Sequence, residues 1–99
     1  MTIEYLTKNK KNIAYSANAG GAFTLVFLGG FMSDMMGSKA THLEDWAKKN
    51  HYGFLRFDYS GHGQSSGVFE SCNISDWVED TYEIITEKTK GPIILIGSS

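Results

Sequence analysis

Three short segments contain residue types that could take part in chemistry, and each directly follows an apolar run. They are residues 29–32, 56–65 and 97–99. Consecutive glycines let a backbone turn sharply and point amide N–H groups into a cleft, where such donors can bind the oxyanion of an acyl-transfer intermediate. A serine among small residues suits the crowded strand-to-helix turn that exposes a nucleophile. Taken alone, the first segment is also typical of a plain turn, and the last of a flexible tail.

The middle segment, residues 56–65, invites comparison with a dinucleotide-binding loop because Gly61 and Gly63 follow a predicted strand. The third glycine of such a loop would fall at Ser66, and the next predicted helix begins too late to receive a pyrophosphate at its amino end. We therefore predict a tight loop in which Asp58 and Ser65 form hydrogen bonds with the loop's own backbone.

The elements that must position these segments follow from the spacing of apolar residues. Residues 3–6 and 13–15 alternate and predict a hairpin of half-buried strands. Residues 23–28, 54–57 and 93–96 are mostly apolar runs, which predict short strands buried on both faces of a parallel sheet. The last of these, residues 93–96, suits a strand that is covered in a complete fold, but we expect the helix and the further strands that would cover it to be missing here.

Between these strands the apolar period becomes helical. The apolar face of the first predicted helix contains Ala40, Leu43, Trp46 and Ala47, and that of the second contains Ile74, Trp77, Val78, Ile84 and Ile85. The order hairpin, strand, helix, strand, helix, strand predicts an α/β fold with a parallel sheet and crossover helices.

Composition excludes several classes of function. A net charge of −2 over 99 residues provides no basic face for nucleic acid, and no apolar run is long enough to span a membrane. The single cysteine, Cys72, allows neither an internal disulfide nor a multi-cysteine metal site. We expect no metal and no organic cofactor. The lone cysteine and the absence of a signal-peptide pattern favour the cytoplasm.

Together, the three segments resemble the α/β-hydrolase family over the whole chain. Residues 56–65, Arg-Phe-Asp-Tyr-Ser-Gly-His-Gly-Gln-Ser, are similar to the family's loop after its fourth strand. Residues 29–31 lie where the family has its oxyanion turn, and residues 92–99 where its fifth strand meets the nucleophile elbow. Gly29 replaces a histidine common elsewhere in the family. The chain looks most like the branch of the mitochondrial acyl-protein thioesterase and acyl-glucuronide esterase and its bacterial relatives.

The resemblance implies a serine hydrolase that cleaves carboxylic ester or thioester bonds through an acyl-enzyme. Ser99 would be the nucleophile and the Phe31 N–H one oxyanion donor. We also expect Gly30 and Met32 to line the substrate pocket, Met32 because a thioether adapts to irregular apolar shapes. Met32 packing as an ordinary apolar residue is the alternative. His62 precedes Ser99, whereas the family's acid and histidine follow its serine, so both would lie beyond position 99.

Residues 1–99 are therefore expected to form a single incomplete α/β-hydrolase domain, truncated at the nucleophile elbow and inactive alone. Its substrate would be a small-molecule or acyl-protein ester or thioester, and its partner a missing carboxy-terminal half. The alternative is a non-catalytic remnant of a truncated gene or one half of a split protein.

Overall fold

A computed structural model describes residues 1–98, and Ser99 lies outside the described residues. The chain begins with an antiparallel hairpin of β1 (Glu4–Lys8) and β2 (Lys11–Asn18). The two residues between them, Asn9 and Lys10, have φ angles of 51° and 65°, as a two-residue hairpin turn requires. The predicted hairpin is confirmed.

The hairpin extends a sheet whose remaining strands are parallel to one another. These are β3 (Thr24–Leu28), β4 (Gly53–Phe57) and β5 (Ile93–Gly97), and the helices are α1 (Ser38–Lys49) and α2 (Ile74–Lys88). The strand order is β1-β2-β4-β3-β5, with β3 parallel to both of its neighbours and β2 antiparallel to β4. Every predicted element is present, and the predicted α/β class is confirmed.

The core lies on both faces of the sheet because successive side chains of a strand point to opposite sides. Leu25 and Phe27 face α1, whereas Val26 between them faces α2. The cluster toward α1 contains Leu25, Phe27, Ala40, Ala47 and Phe54. The cluster toward α2 contains Ile13, Tyr15, Val26, Leu55, Phe57 and Ile84.

The predicted apolar faces of the helices are only partly buried. Trp46 of α1 is 49% exposed, and Ile74 and Val78 of α2 are 70% and 63% exposed. Ile84 of the same predicted face is buried, together with the carboxylates Asp80 and Glu83. The predicted face of α2 therefore meets the core at Ile84 but stays exposed at Ile74 and Val78.

The last strand is exposed in this chain, as expected where the elements that would cover it are absent from the described residues. Ile94 is 45% exposed and Leu95 is 53% exposed. Within residues 1–98, β5 pairs only with β3, so its other edge is open. An apolar run shows that a strand suits a covered position, but it cannot show whether the covering elements are present.

No helix within residues 1–98 has both the length and the apolar character needed to cross a bilayer. In the same part of the chain, no cluster of three or more His, Cys, Asp or Glu side chains is arranged to hold a metal ion.

Candidate active site

The turn that follows β3 is closed by a hydrogen bond from the Ser33 amide to the Gly30 carbonyl, at 3.1 Å. Met32, the third residue of this four-residue turn, has a φ of 59°. A positive φ at this position characterises a type II turn, which usually places glycine there. The backbone is therefore strained at Met32, a bulky residue directly after Phe31.

Two side chains from the loop after β4 contact this turn. The Tyr59 hydroxyl donates to the Gly29 carbonyl at 3.0 Å, and the Met32 amide donates to His62 Nε2 at 3.2 Å. Burial raises the pKa of Tyr59, which keeps its hydroxyl protonated as the donor. The glycine turn is therefore held from the neighbouring strand's loop as well as by its own bond.

The hydrogen bonds of His62 define its protonation state. Nε2 faces a backbone N–H, which can only donate, so Nε2 must accept. Nδ1 lies 3.1 Å from the Ser60 carbonyl, which can only accept, so Nδ1 must carry the proton. The ring is 5% exposed and lies edge-on to three aromatic rings, those of Tyr59, Phe69 and Trp77. The His62 ring is therefore neutral and buried, and both of its nitrogens form hydrogen bonds.

A second pair of contacts holds the next part of the same segment. Met35 is 1% exposed, and its N–H donates a hydrogen bond to Asp58 Oδ1 at 2.7 Å. Its carbonyl oxygen accepts a hydrogen bond from Arg56 Nη1 at 3.1 Å. Arg56 Nη2 also contacts Glu44 Oε1 of α1 at 3.1 Å. Arg56 and Asp58, at the end of β4, thus hold the segment after β3 in place, and Arg56 also contacts α1.

Asp58 organises its own loop as the sequence predicts. Its Oδ2 accepts the Gln64 amide at 2.9 Å, and Ser65 Oγ donates to the Asp58 carbonyl at 2.6 Å. Burial raises the pKa of Asp58, and the N–H groups of Gln64 and Met35 oppose that rise without cancelling it. The predicted tight loop is confirmed.

The structure brings the glycine turn close to the end of β5. The Ser98 amide donates to the Leu28 carbonyl at 2.9 Å, and Gly30 and Ser98 line one cavity of about 260 Å³. Lys39 Nζ lies 3.3 Å from Ser98 Oγ at the same cavity. The predicted nucleophile, Ser99, follows directly but lies outside the described residues.

Phe31 has the exposure expected of a residue at a site. Its side chain is 67% exposed, and its amide N–H donates to no other residue among residues 1–98. Met32 is 70% exposed and lines a different cavity, of about 220 Å³, with Asp34, His62 and Phe69. The two predicted pocket residues, Gly30 and Met32, therefore line separate cavities.

A larger apolar groove of about 500 Å³ separates the glycine turn from α2. We refer to it as the α2 groove; its lining includes Leu28, Phe31, Tyr59, Trp77, Val78 and Tyr82.

The roles of Tyr59 and His62 in holding the turn were not predicted from the sequence. Both lie in residues 56–65, which have the pattern of a glycine-rich loop, but nothing in that pattern shows that the loop reaches the turn after β3. Only the spatial adjacency of β4 and β3 brings the two segments together.

Known proteins are similar to this chain in fold and in sequence. The palmitoyl-protein thioesterase ABHD10 of Bos taurus, described as mitochondrial, is 37% identical over 99 residues, which are 99% of this chain and 32% of that protein. The human protein of the same name is 39% identical over 88 residues, covering 89% of this chain and 29% of that protein. No family model matches the chain.

A solved structure of the mouse α/β-hydrolase domain-containing protein 10 superposes with a TM-score of 0.96 at 35% identity. The match covers 100% of this chain and 40% of that one. This chain therefore spans about a third of the length of the curated relatives that it matches.

The strand order, the flanking helices and these similarities show that the chain has the fold of the amino-terminal part of α/β-hydrolases. Within that class its relatives are the palmitoyl-protein thioesterases named ABHD10, which confirms the resemblance carried by the three segments.

Proposed function

We propose that residues 1–99 are part of a serine hydrolase that cleaves carboxylic ester or thioester bonds, with Ser99 as nucleophile and the Phe31 N–H as one oxyanion donor. The observation that carries this proposal is the position of the Phe31 amide. It has no partner among residues 1–98, and it lies on a braced turn whose Gly30 shares a cavity with Ser98. A fixed, unused donor beside a nucleophile is what oxyanion stabilisation requires.

In the proposed reaction, Ser99 Oγ forms a bond to the acyl carbon while a base takes its proton. The tetrahedral oxyanion accepts a hydrogen bond from the Phe31 N–H. The bond from the acyl carbon to the leaving sulfur or oxygen then breaks, and the base passes its proton to the leaving group. Water repeats the sequence on the acyl-enzyme and releases the carboxylic acid. His62 cannot supply the base, because Nε2 accepts the Met32 amide and Nδ1 carries a proton bonded to Ser60.

We infer from the order of triad residues in this fold that the base and its supporting acid belong to further residues of a complete domain. In this fold both follow the serine in sequence. We therefore infer that residues 1–99 form a single incomplete domain and that a carboxy-terminal half completes the site. The alternative is that the chain is a non-catalytic remnant of a truncated gene or one half of a split protein.

The names of the relatives suggest a substrate class and a compartment. They describe palmitoyl-protein thioesterases, which favours an acyl-protein thioester as the substrate over a small-molecule ester. The same names place those proteins in mitochondria, whereas the lone Cys72 favours the cytoplasm, so the cytoplasmic location stays a prediction. Gly30 and Met32 remain the proposed pocket residues.

The test compares two adjacent serines in a complete protein that contains these residues. Ser99→Ala should abolish hydrolysis of a palmitoyl-cysteine peptide and labelling by a fluorophosphonate probe, whereas Ser98→Ala should retain both. Activity and labelling that persist in Ser99→Ala would overturn the proposal. A polypeptide of residues 1–99 alone should show neither activity nor labelling.

A further inference from the structure

Three successive peptide planes around Phe31 are each held by one hydrogen bond. The Gly29 carbonyl accepts Tyr59 Oη at 3.0 Å, and the Gly30 carbonyl accepts the Ser33 amide at 3.1 Å. The third plane is held through the Met32 N–H, which donates to His62 Nε2 at 3.2 Å. The Phe31 N–H belongs to the middle plane. Since both flanking planes are held from the loop after β4, that loop determines where the Phe31 amide points.

The Phe31–Met32 peptide plane most needs such a bond, because the backbone is strained at Met32. Met32 has a φ of 59°, a left-handed conformation that costs a residue with a Cβ about 1–2 kcal/mol. Met32 is also 70% exposed, so burial of its side chain does little to offset that cost. Without an acceptor for the Met32 N–H, the Phe31–Met32 peptide could flip to give Met32 a negative φ. The Gly30–Phe31 plane, which carries the Phe31 N–H, would then lose its fixed neighbour on that side.

His62 is well placed to act as that acceptor. Its ring is buried among Tyr59, Phe69 and Trp77, and the Ser60 carbonyl fixes its Nδ1–H tautomer. The charged groups nearby are Asp58 and Asp34, of which Asp34 lines the same cavity and Asp58 accepts the Met35 and Gln64 amides. Neither carboxylate forms a hydrogen bond with the imidazole, so Nε2 stays free to accept.

We propose that neutral His62 is a positioning residue for acyl transfer, which holds the Phe31 amide in its oxyanion-binding direction through the Met32 N–H. This inference rests on the proposed function, because it assigns a role to the turn in that reaction. His62 would touch neither the substrate nor the reacting atoms.

Two substitutions separate this role from simple packing. His62→Phe keeps a buried ring but removes the acceptor, whereas His62→Gln places a carbonyl oxygen near the position of Nε2. In the complete protein we expect kcat to fall about tenfold or more in His62→Phe, since loss of an oxyanion donor costs about 100–1000-fold. KM should change less than about twofold on the same reasoning, and His62→Gln should recover most of kcat.

Equal kcat in His62→Phe and the wild type would overturn the proposal. So would an equal loss of kcat in both variants while their melting temperatures match, because the acceptor would then not matter. His51→Asn is the control for loss of an imidazole, because His51 is exposed and Asn tolerates its φ of 61°; it should leave kcat unchanged.

A measurement on the unmodified protein keeps the proposal testable if the variants do not fold. Nitrogen-15 NMR should show the Nδ1–H tautomer of His62 and slow hydrogen exchange of the Met32 amide. An Nε2–H tautomer, or a Met32 amide that exchanges like an exposed one, would overturn it. If Ser99→Ala retains activity, the proposed function fails, whereas the tautomer and the exchange rate still report the contact between His62 and the turn.

Discussion

At the scale of single residues, the Asp58 carboxylate occupies the space that a side chain at position 63 would need. A Cβ placed on Gly63 would overlap the Asp58 carboxylate oxygens. Gly63 also has a φ of 46°, a conformation that other residues rarely adopt. Glycine is therefore required at this position for two separate reasons, and Asp58 can reach the Gln64 amide only because no side chain intervenes.

Gly63→Ala should accordingly destabilise the chain by about 3 kcal/mol, the sum of left-handed strain and a steric clash. Gly91→Ala is the matched control, because Gly91 has a φ of 75° but nothing lies within 4 Å of the position that a Cβ would occupy there. It should cost about 1 kcal/mol, from strain alone. Urea unfolding of both variants measures the difference, and equal losses would show that Asp58 can move aside.

The raised pKa of Asp58 makes stability depend on pH. The folded chain holds the Asp58 proton more tightly than the unfolded chain does, mainly because the carboxyl group is buried. Its contribution to stability is therefore complete below its unfolded pKa and is lost as pH rises through its folded pKa. The free energy of unfolding of the wild type minus that of Asp58→Asn should fall as pH rises from the unfolded pKa through the folded one. A difference that rises with pH would contradict this sign.

Sequence reasoning succeeded for residues whose roles are local and failed where a role depends on a distant contact. The bonds of Asp58 and Ser65 within residues 58–65 were predicted because short polar side chains in a glycine-rich loop commonly bond nearby amides. The bond from Met32 to His62 spans 30 residues and depends on which strands are neighbours. The role of Ser99 stays a prediction.

At the scale of elements, a buried ion pair fastens α1 to β4. The side chains of Arg56 and Glu44 are 3% and 6% exposed, and their charged atoms are 3.1 Å apart. Removing one partner of a buried pair leaves the other charge without compensation, which costs about 3–5 kcal/mol. The same arginine also holds the Met35 carbonyl, so helix and turn depend on one side chain.

Arg56→Met should therefore lower the free energy of unfolding by about 3 kcal/mol or more. Lys48→Met is the matched control, because Lys48 also contacts Glu44, at 3.8 Å, but its side chain is 55% exposed. An exposed pair contributes little, so this change should cost less than about 1 kcal/mol. Thermal or urea unfolding compares the two, and a small loss in Arg56→Met would show that Glu44 finds another partner.

The order and type of the elements were predictable because each carries its own period of apolar residues. Their exposure was not. The stripe of Ile74 and Val78 has the spacing of a core-facing stripe, yet it borders the open α2 groove. Periodicity identifies a face that suits burial, whereas the elements that cover it must be found in the folded molecule.

At the scale of the whole molecule, two of the exposed apolar surfaces lie on β5 and α2. The exposed side chains of β5 lie at the open edge of the sheet, and the stripe of α2 lies along the α2 groove. An open strand edge also offers unpaired backbone groups to another chain. A polypeptide of residues 1–99 should therefore self-associate unless a further segment or partner covers these surfaces.

Size-exclusion chromatography tests this expectation. Replacing both Ile94 and Leu95 with lysine should shift the polypeptide toward monomer, because charged side chains oppose edge pairing. Val68→Lys is the control: Val68 is 61% exposed but lies in the loop before α2, and its replacement should not change the elution volume. A monodisperse wild-type monomer would mean that the open edge is protected in some other way.

The place of β5 in the sheet also has a consequence for synthesis on the ribosome. β3 ends at Leu28 and its parallel partner β5 begins at Ile93, so about 60 residues must be added before that side of β3 can pair. At typical translation speeds this takes roughly 3–13 s. β3 can pair with β4 once Phe57 has been added, but its other edge stays open until β5 is made. We therefore expect chaperones to bind nascent chains that have not yet reached Ile93. On the ribosome, the sheet therefore cannot be completed before translation has passed Gly97.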